Sequence, residues 1–310
     1  MTPSDVHVSA ALTSFAVEYG RGGNFMQDII CPVVPVTKES DYYGKWGREE
    51  LSLDMDLRRA PGARPHQKKF SLSWVQYTCH EYAIESESVP WRTLDNADDP
   101  LMIKQAYVSK LMHQLKLDRE YYIYSQIHNT SVFTQYASPS VKWNQDLAVI
   151  EEDIDIAKLA VHLGCGKKAN TIIIPPTVSV VMKRNAAIRE LIKYTQNDLL
   201  VNGDLPPSIF DLRVAIPETI MRTTNPGQAA TYDFTFAADD VMVAYIDPNP
   251  GLMSVNPMQA FRCPKREGAA FTVKEWDDAR SESWHCQLAV LQDEKQVCNE
   301  ALYVIDNSLA

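Results

Sequence analysis

The chain has 310 residues, of which 45% are hydrophobic and 23% are charged. This is the composition of an ordinary globular protein, and it excludes collagen-like, coiled-coil and largely disordered chains. The formal net charge of -10 repels nucleic acid on average, so wrapping or sequence-specific reading of DNA is not expected.

Neither the apolar segments nor the cysteines indicate an exported protein. No stretch approaches the roughly 20 apolar residues that cross a bilayer, and the first twenty residues lack the basic and apolar segments of a signal peptide. The cysteines are scattered, without a Cys-x-x-Cys pair, and we expect reduced, buried thiols in a cytosol rather than a disulfide framework. They are Cys31, Cys79, Cys165, Cys263, Cys286 and Cys298.

Residues 1–40 are predicted to form an extended arm. Glycines at positions 20, 22 and 23 are expected to interrupt any helix. The apolar run 29–36 contains two prolines, which cannot donate to the centre of a sheet, so we predict an edge segment. An extended apolar edge needs a partner. The residues predicted to make these arm contacts are Ile29, Ile30, Val33 and Val34.

Two aromatic-rich segments, residues 42–46 and 70–77, partly alternate and predict strands. The segment between them has few candidate core residues and a strong turn signal at Pro61-Gly62. It predicts a long projecting loop, and loops of this length are uncommon unless they are functional. From Leu57 to Phe70 this loop has no acid and five basic side chains. They are Arg58, Arg59, Arg64, Lys68 and Lys69.

The basic stretch has three interpretations. Nucleic-acid binding is disfavoured, because such sites usually combine a wider basic field with aromatic stacking platforms. A solvated loop accounts for the charge equally well. Attachment to an acidic patch on a neighbouring copy is the interpretation we prefer. Acidic residues available for it are Asp95, Asp98, Asp99, Asp277, Asp278 and Glu282.

Residues 99–128 give the strongest predicted helix. Asn96 or Asp99 can cap it, and Pro100 stands where a first-turn proline is tolerated. No glycine or proline follows until after His128, and about 28 helical residues would span about 42 Å. An amphipathic stripe is predicted at steps of three or four. It comprises Ile103, Ala106 or Tyr107, Leu111, Leu115, Asp118 and Tyr122.

Residues 146–250 are predicted to form a compact α/β unit. A helix from Asp146 to His162 is expected to end at Gly164 and Gly166. Further elements are expected at 171–174 (buried strand), 178–196 (one broken or two short helices), 212–216 and 241–246 (strands), with a turn at 225–227. Residues 261–310 are predicted to return to β-structure, with strands at 270–276, 285–291 and 301–305.

Catalytic patterns are missing from the sequence. It contains no GxSxG, HExxH, phosphate-binding loop or dinucleotide fingerprint. His80 follows Cys79 and His285 precedes Cys286, but adjacent strand residues point to opposite faces, so neither pair is suited to chelate a metal. We therefore predict no enzyme activity, no cofactor and no metal site.

Four local segments carry a resemblance to a known family. They are residues 59–64, residues 77–83 followed by Val89-Pro90, residues 95–101, and residues 170–176 followed by residues 192–195. In these segments, and above all in their order, the chain resembles the major capsid proteins of tailed bacteriophages. The resemblance covers most of the chain and implies an α+β chain with the Hong Kong 97-like capsid fold.

The resemblance also implies a division into domains. Residues 1–40 would be an N-terminal arm, 41–82 an extended β-hairpin loop, and 83–145 a peripheral domain with a spine helix at 99–128. Residues 146–254 would be an axial domain, and 255–310 the β-strands of the peripheral domain. The basic residues would then lie at the extended-loop tip and contact other subunits.

The implied function is self-assembly into the icosahedral shell of a phage head. The partners would be copies of the chain in pentamers and hexamers, a separate scaffolding protein, a portal and, as an optional partner, a decoration protein. The shell would enclose double-stranded DNA without sequence-specific binding and without a membrane, and it would be assembled in the cytoplasm of the host bacterium. Residues 1–40 are too short for a cleaved scaffolding segment, so no maturation cleavage is expected.

Two alternatives remain open at this point. One is an encapsulin, a bacterial compartment of the same fold that houses a cargo enzyme. The other is a small-molecule enzyme built on the α/β unit of residues 146–250, for which the sequence offers no constellation of catalytic side chains.

Overall fold

The structure is a computed structural model. It describes residues 7–21, 25–45, 58–59, 61–62, 64–65, 67, 72–145, 148–186, 188–190, 205–225, 227–236, 239–264 and 270–309. Lys68 and Lys69 of the predicted loop tip lie outside the described residues, as do residues 192–195 of the capsid-like segments.

Helices and strands alternate along the described chain. The helices are α1 (Ala10–Arg21), α2 (Gln27–Ile30), α3 (Trp91–Asp95), α4 (Pro100–Ile127), α5 (Ile150–Cys165) and α6 (Pro176–Arg184). The first strands are β1 (His7–Val8), β2 (Val33–Pro35), β3 (Ser40–Lys45), β4 (Ser73–Thr78), β5 (His80–Glu85), β6 (Val89–Pro90), β7 (Tyr136–Ala137) and β8 (Thr171–Ile173). The later strands are β9 (Ser208–Ile209), β10 (Leu212–Ala215), β11 (Ile220–Arg222), β12 (Tyr232–Phe234), β13 (Val241–Ala244), β14 (Met258–Cys263), β15 (Phe271–Asp278), β16 (Ser283–Gln296) and β17 (Leu302–Ile305).

The first sheet is organised around the long strand β16. One side of β16 pairs with β15 and then with β14, and the other side pairs with β6 and β5. The edge strands β1 and β2 add to β15 and β14. One face of this sheet is covered by α1 and the first part of α4, whose apolar side chains pack with alternate residues of β15 and β16. The opposite face carries the hairpin of β3 and β4.

The second sheet has the strand order β7-β17-β13-β8-β10-β9. One face packs against α5 and α6 through residues such as Ile154 and Val178. The other face packs against α2 and the last part of α4, through Ile30, Ile123 and Ile127. Helix α4 therefore contacts both sheets, and its length ties one to the other.

The length and start of α4 agree with the prediction. The carboxylate of Asp99 accepts the amide hydrogens of Leu101 and Met102, and Pro100 occupies the first helical position. The buried face agrees only in part, because Asp118 and Tyr122 are exposed. The helix instead buries the charged residues Lys116, Arg119 and Glu120, which a hydrophobic pattern cannot indicate. Its buried residues are Val108, Leu111, Met112, Leu115, Lys116, Arg119, Glu120, Ile123 and Ile127.

The expectation that glycines prevent a helix in residues 1–40 is wrong. Helix α1 includes Gly20, and its Leu12 and Ala16 are buried against the first sheet. A Cβ atom on Gly20 would lie only 3.0 Å from the ring of Phe271. Glycine is therefore suited to a close approach between helix and sheet here, rather than to a break in the helix. The predicted edge strand is confirmed, since β2 ends the first sheet.

Helix α5 runs past the predicted end. Gly164 lies inside the helix, where a Cβ atom would come within 2.9 Å of the carbonyl oxygen of Glu300. Gly166 forms the left-handed cap, with φ 68°. The first of the two expected terminating glycines therefore permits close packing on the 3₁₀ helix Asn299–Ala301, and only the second ends α5.

The last strand belongs to a different sheet from the one expected. The sequence groups residues 301–305 with the closing strands of a peripheral domain, but β17 pairs with β13 in the second sheet. Strand β7, expected in the same peripheral domain, pairs with β17. The strands β11 and β12, which pair with each other, had no counterpart among the predicted elements. Local patterns predict strands but not their distant partners, which explains the misplaced strand.

Candidate assembly surfaces

The β3–β4 hairpin has one buried and one exposed face. Tyr43 and Tyr77 lie over Phe261 of the first sheet, with ring centroids 5.0 Å and 4.6 Å from the Phe261 centroid. The hydroxyl of Tyr43 donates to the carbonyl of Gln296 over 3.0 Å. On the other face, Tyr42 and Trp74 are more than half exposed. Large exposed aromatic side chains of this kind are typical of protein interfaces.

The described residues of the predicted loop tip lie at the surface. Arg58, Arg59 and Arg64 are all exposed, as are Pro61 and Gly62 of the turn. This agrees with a projecting loop, and the contact of these arginines with another subunit stays a prediction.

The predicted arm-contact residues divide into two pairs. Ile30 is fully buried in the second-sheet core and Val34 is buried beneath the hairpin, so both are occupied within their own chain. Ile29 and Val33 are half-buried and keep some surface. Any contact of residues 29–34 with another subunit would therefore use Ile29 and Val33.

Three of the six acidic residues proposed as partners of the tip already have local roles. The indole of Trp91 on α3 donates to Asp277, which joins the start of that helix to the β15–β16 turn. Hydrogen bonds from Ser281 and from the backbone of Arg280 hold the pKa of Asp278 below its usual value. Asp99 caps α4. Asp277 and Asp278 lie at the end of β15 in the first sheet and, like Asp99, are already engaged in local hydrogen bonds.

A buried charge network joins three segments beneath the first sheet. The guanidinium of Arg119 donates to Glu294 over 3.0 Å, to Asp28 over 3.2 Å and to the carbonyl of Cys31 over 2.9 Å. Lys116 lies 3.3 Å from the same Asp28 carboxylate. Burial raises the pKa of Glu294, against the opposing attraction of Arg119. The network fixes the N-terminal segment and β16 to α4.

Glu120 adds a second buried carboxyl group to this junction. It accepts a hydrogen bond from the hydroxyl of Thr219. Burial raises its pKa to about 7, although Thr219 and the backbone of Met26 and Gln27 act to lower it. Glu120 is not recognisable from the sequence, because a single polar residue in a long helix gives no signal of burial.

His128 ties the end of α4 to the second sheet. Its Nε2 lies 2.6 Å from the Asp240 carboxylate, and its Nδ1 lies 3.1 Å from the carbonyl oxygen of Tyr124. Both neighbours are acceptors, an arrangement that favours the imidazolium form, in which both ring nitrogens carry a proton. Burial opposes this charge, but the hydrogen bonds to Asp240 and Tyr124 raise the pKa of His128.

Helix α5 leaves an apolar face uncovered. Its Ile154, Ala157 and Val161 are fully buried against the second sheet and the chain's end. On the outside, Leu159 is 62% exposed and Leu163 is 65% exposed. We call these two residues and Ile156, which is 50% exposed, the α5 outer face. Their spacing of three and four places them on one side of the helix.

Comparison with known proteins identifies the fold. No family model matches the chain. It is 22% identical over 218 residues to the major capsid protein of Burkholderia phage BcepMu, covering 69% of each chain. Its structure matches a phage-related protein from Bordetella bronchiseptica with a TM-score of 0.72, at 16% identity and over 97% of each chain. It also matches the mature capsid of bacteriophage PhiM1 with a TM-score of 0.56, at 10% identity and over 92% and 87% of the two chains.

The chain has the tailed-phage capsid fold. The resemblance and the Hong Kong 97-like fold class predicted from the sequence are thereby confirmed. The same fold occurs in an encapsulin complex from Synechococcus elongatus, with a TM-score of 0.53, 10% identity and 92% and 88% of the chains covered. The fold alone therefore does not separate a phage coat from an encapsulin, whereas the sequence similarity is to a phage coat.

Within the capsid fold, the described residues contain no group of three or more His, Cys, Asp or Glu side chains arranged to hold a metal ion. All six thiols are free, and every one except Cys298 is buried. In the part of the chain that the structure describes, no helix is long and apolar enough to cross a membrane.

Proposed function

We propose that this chain is a phage major capsid protein, which assembles with copies of itself into the closed icosahedral shell around the phage genome. The similarity to a phage major capsid protein and the capsid fold support this function. The shell would be built from rings of five and six copies and would be part of the virion. Its role is structural rather than enzymatic.

One observation of the structure carries the proposal. Large apolar side chains are exposed on separate faces of the molecule, including Tyr42 and Trp74 on the hairpin and the α5 outer face. A monomer seldom leaves apolar patches uncovered in several places. A subunit in a closed shell meets several neighbours and needs a different surface for each.

Each predicted domain would have its own role in assembly. Residues 146–254 would gather copies around the five-fold and local six-fold axes as the axial domain. The peripheral domain would be residues 83–145 and 255–310, with β17 as the strand that crosses to the other sheet. The hairpin of residues 41–82 would extend contacts beyond the compact body, whereas the described part of residues 1–40 packs on both sheets and would offer a neighbour only surface residues such as Ile29 and Val33.

The remaining partners follow from the same proposal. A separate scaffolding protein, a portal and optionally a decoration protein would complete the head, and assembly would take place in the host bacterial cytoplasm. The shell would contain double-stranded DNA without reading its sequence. A net charge of -10 per subunit lets the wall avoid adhering to the packaged DNA.

Electron microscopy and light scattering of the purified chain test the proposal. We expect closed particles from the chain alone or together with its scaffolding protein. A strictly monomeric species under every assembly condition would overturn it. Shells that carry a cargo enzyme and no DNA when isolated from cells would instead identify an encapsulin.

Charge reversal tests the predicted role of the loop tip. The variant with Arg58→Glu, Arg59→Glu and Arg64→Glu is expected to fold normally but to assemble poorly, because its tip would no longer attract an acidic surface. The matched control replaces the same three arginines with lysine and should assemble at near wild-type yield. Normal particles from the glutamate variant would show that the loop is merely solvated.

A further inference from the structure

A small cavity lies where α4 meets β5 and β16. Its volume is about 190 Å³. Such a space is smaller than typical ligand pockets of roughly 300–1,000 Å³, and it suits one long side chain better than a cofactor. Three tyrosines line it: Tyr82, Tyr121 and Tyr122. Asp118 and Glu294 supply carboxylates, and Arg119, which is paired with Glu294, also lines the cavity.

The lining of this cavity is suited to a cation. Aromatic faces attract guanidinium and ammonium groups, most strongly where water is partly excluded. Burial and then the charge of Glu294 raise the pKa of both Tyr82 and Tyr122. The phenols therefore stay neutral. Of the two causes, only the charge of Glu294 would also favour a positive ligand, because burial disfavours any charged group.

Asp118 distinguishes the cavity from the acidic end of the first sheet. It is exposed, and within the described residues it forms no hydrogen bond or ion pair. Asp99, Asp277 and Asp278, by contrast, each accept hydrogen bonds close by. Glu294 is already paired with Arg119, so Asp118 is the carboxylate available to a new partner.

We propose that this tyrosine-lined cavity receives an arginine from the loop tip of a second copy of the chain. The inference rests on the proposed shell function and names the receptor for the tip. The tip is basic and free of acids between Leu57 and Phe70, and the cavity offers three aromatic faces and an unpaired carboxylate. Opposite charge and matching chemistry favour this pairing.

Exposure and reach both favour a second copy as the source of the arginine. Arg58, Arg59 and Arg64 are exposed in their own chain, so none of them fills its own subunit's cavity. The segment between β3 and β4 covers residues 46–72. By its number of residues alone, a segment of this length is long enough to reach a neighbouring copy.

Charge-reversal rescue tests the proposal in assembled particles. Asp118→Lys is expected to lower particle yield about tenfold, because it places a like charge against the incoming arginine. Combining it with Arg58→Glu, Arg59→Glu or Arg64→Glu should restore assembly in one of the three pairs. Asp95→Lys, on the rival acidic surface, is the matched control and should not be rescued by the same partner.

Peptide binding tests the cavity without assembly. A peptide of residues 57–70 should bind the unassembled full-length chain saturably, and binding should weaken about tenfold in Asp118→Lys and in Tyr122→Leu. A peptide with glutamate at its three arginines should not bind. If wild-type chain forms shells but ignores the peptide and Asp118→Lys assembles normally, this inference fails and the shell function stands. If the peptide binds but no shell ever forms, the proposed function fails instead.

Discussion

Arg119 is the residue on which the junction of α2, α4 and β16 depends. It is 5% exposed and neutralises Asp28 and Glu294 from opposite sides of the junction. Without it, Glu294 would be a buried carboxylate that has lost its ion-pair partner. Removing one partner of a buried ion pair costs far more than the pair contributes, since it strands the other charge.

We expect Arg119→Leu to lower the free energy of unfolding by about 3–5 kcal/mol. Urea denaturation of the unassembled subunit measures this change. The matched control is Lys38→Leu, which removes the exposed pair between Lys38 and Asp41 and should leave the midpoint nearly unchanged. Equal effects of the two variants would show that the buried network contributes no more than a surface pair.

Glu120 makes stability depend on pH. Because folding raises its pKa from 4.5 to about 7, the folded state holds more protons than the unfolded chain between these values. Stability therefore falls as pH rises through this window, by an amount on the order of 3 kcal/mol. Glu120→Gln keeps the shape of the side chain and cannot titrate, so we expect its unfolding free energy to be flatter from pH 4.5 to 7.

Denaturation of wild type and Glu120→Gln at matched pH values gives the comparison. Other titrating groups are common to both proteins, so the difference between the two profiles isolates Glu120. Parallel profiles would mean that the carboxyl group does not change its pKa on folding.

Among individual residues, helix caps were easier to predict from the sequence than buried charged side chains. Asp99 and Pro100 predict the start of α4 correctly, because capping is an interaction between residues close in sequence. Arg119 and Glu120 gave no such signal, since their partners Glu294 and Thr219 lie far along the chain. Asp118 was predicted on the buried stripe, and the structure places it at the surface beside the tyrosines.

Among the elements, α5 shows how one helix serves both the core and the surface. Ile154, Ala157 and Val161 hold it to its own subunit, and Leu159 and Leu163 point away. Burying a leucine side chain contributes about 1.5–3 kcal/mol, so the α5 outer face is a costly surface to leave in water. In a shell it would be covered by a neighbouring subunit.

The double variant Leu159→Asp with Leu163→Asp should leave the folded subunit almost unchanged and abolish particles. Exposed substitutions usually change stability by no more than about 0.5 kcal/mol, whereas two charges cannot be buried in an apolar contact. Thermal unfolding of the subunit and sedimentation of the assembly mixture measure the two effects. Glu152→Ser, at an exposed polar position of the same helix, is the control. Normal shells from the aspartate variant would remove α5 from the contact surface.

Helices and strands were predicted correctly where residues close in sequence determine them. They were missed or misplaced where contacts between distant residues do. The hairpin strands β3 and β4 and the helix α4 were found from alternation, capping and an uninterrupted helical run. Helix α1 was missed because Gly20 resembles a helix breaker until Phe271 is seen beside it. Strand β17 was found, but its pairing with β13 depends on residues about sixty positions earlier in the chain.

For the whole molecule, the reactivity of the thiols depends on how closely the subunit is packed around them. Burial raises the pKa of Cys31 to about 12 and that of Cys298 to about 11, so neither forms a reactive thiolate at neutral pH. We expect slow alkylation of the native subunit, with the half-buried Cys298 reacting first, and labelling of all six thiols in denatured, unreduced protein. Mass spectrometry counts the labels. Two thiols protected in the denatured protein would indicate a disulfide.

Both sheets join early parts of the chain to late ones. Val33 is the partner of Ala260, His7 is the partner of Glu275, and β8 and β13 share their sheet with the last strand. During synthesis β1 and β2 therefore remain unpaired until β15 and β14 have been made. Such non-local pairing folds slowly and exposes strand edges to aggregation. We expect each subunit to complete both sheets only after residues 302–305 have left the ribosome, so a shell would grow from subunits that have already passed this step.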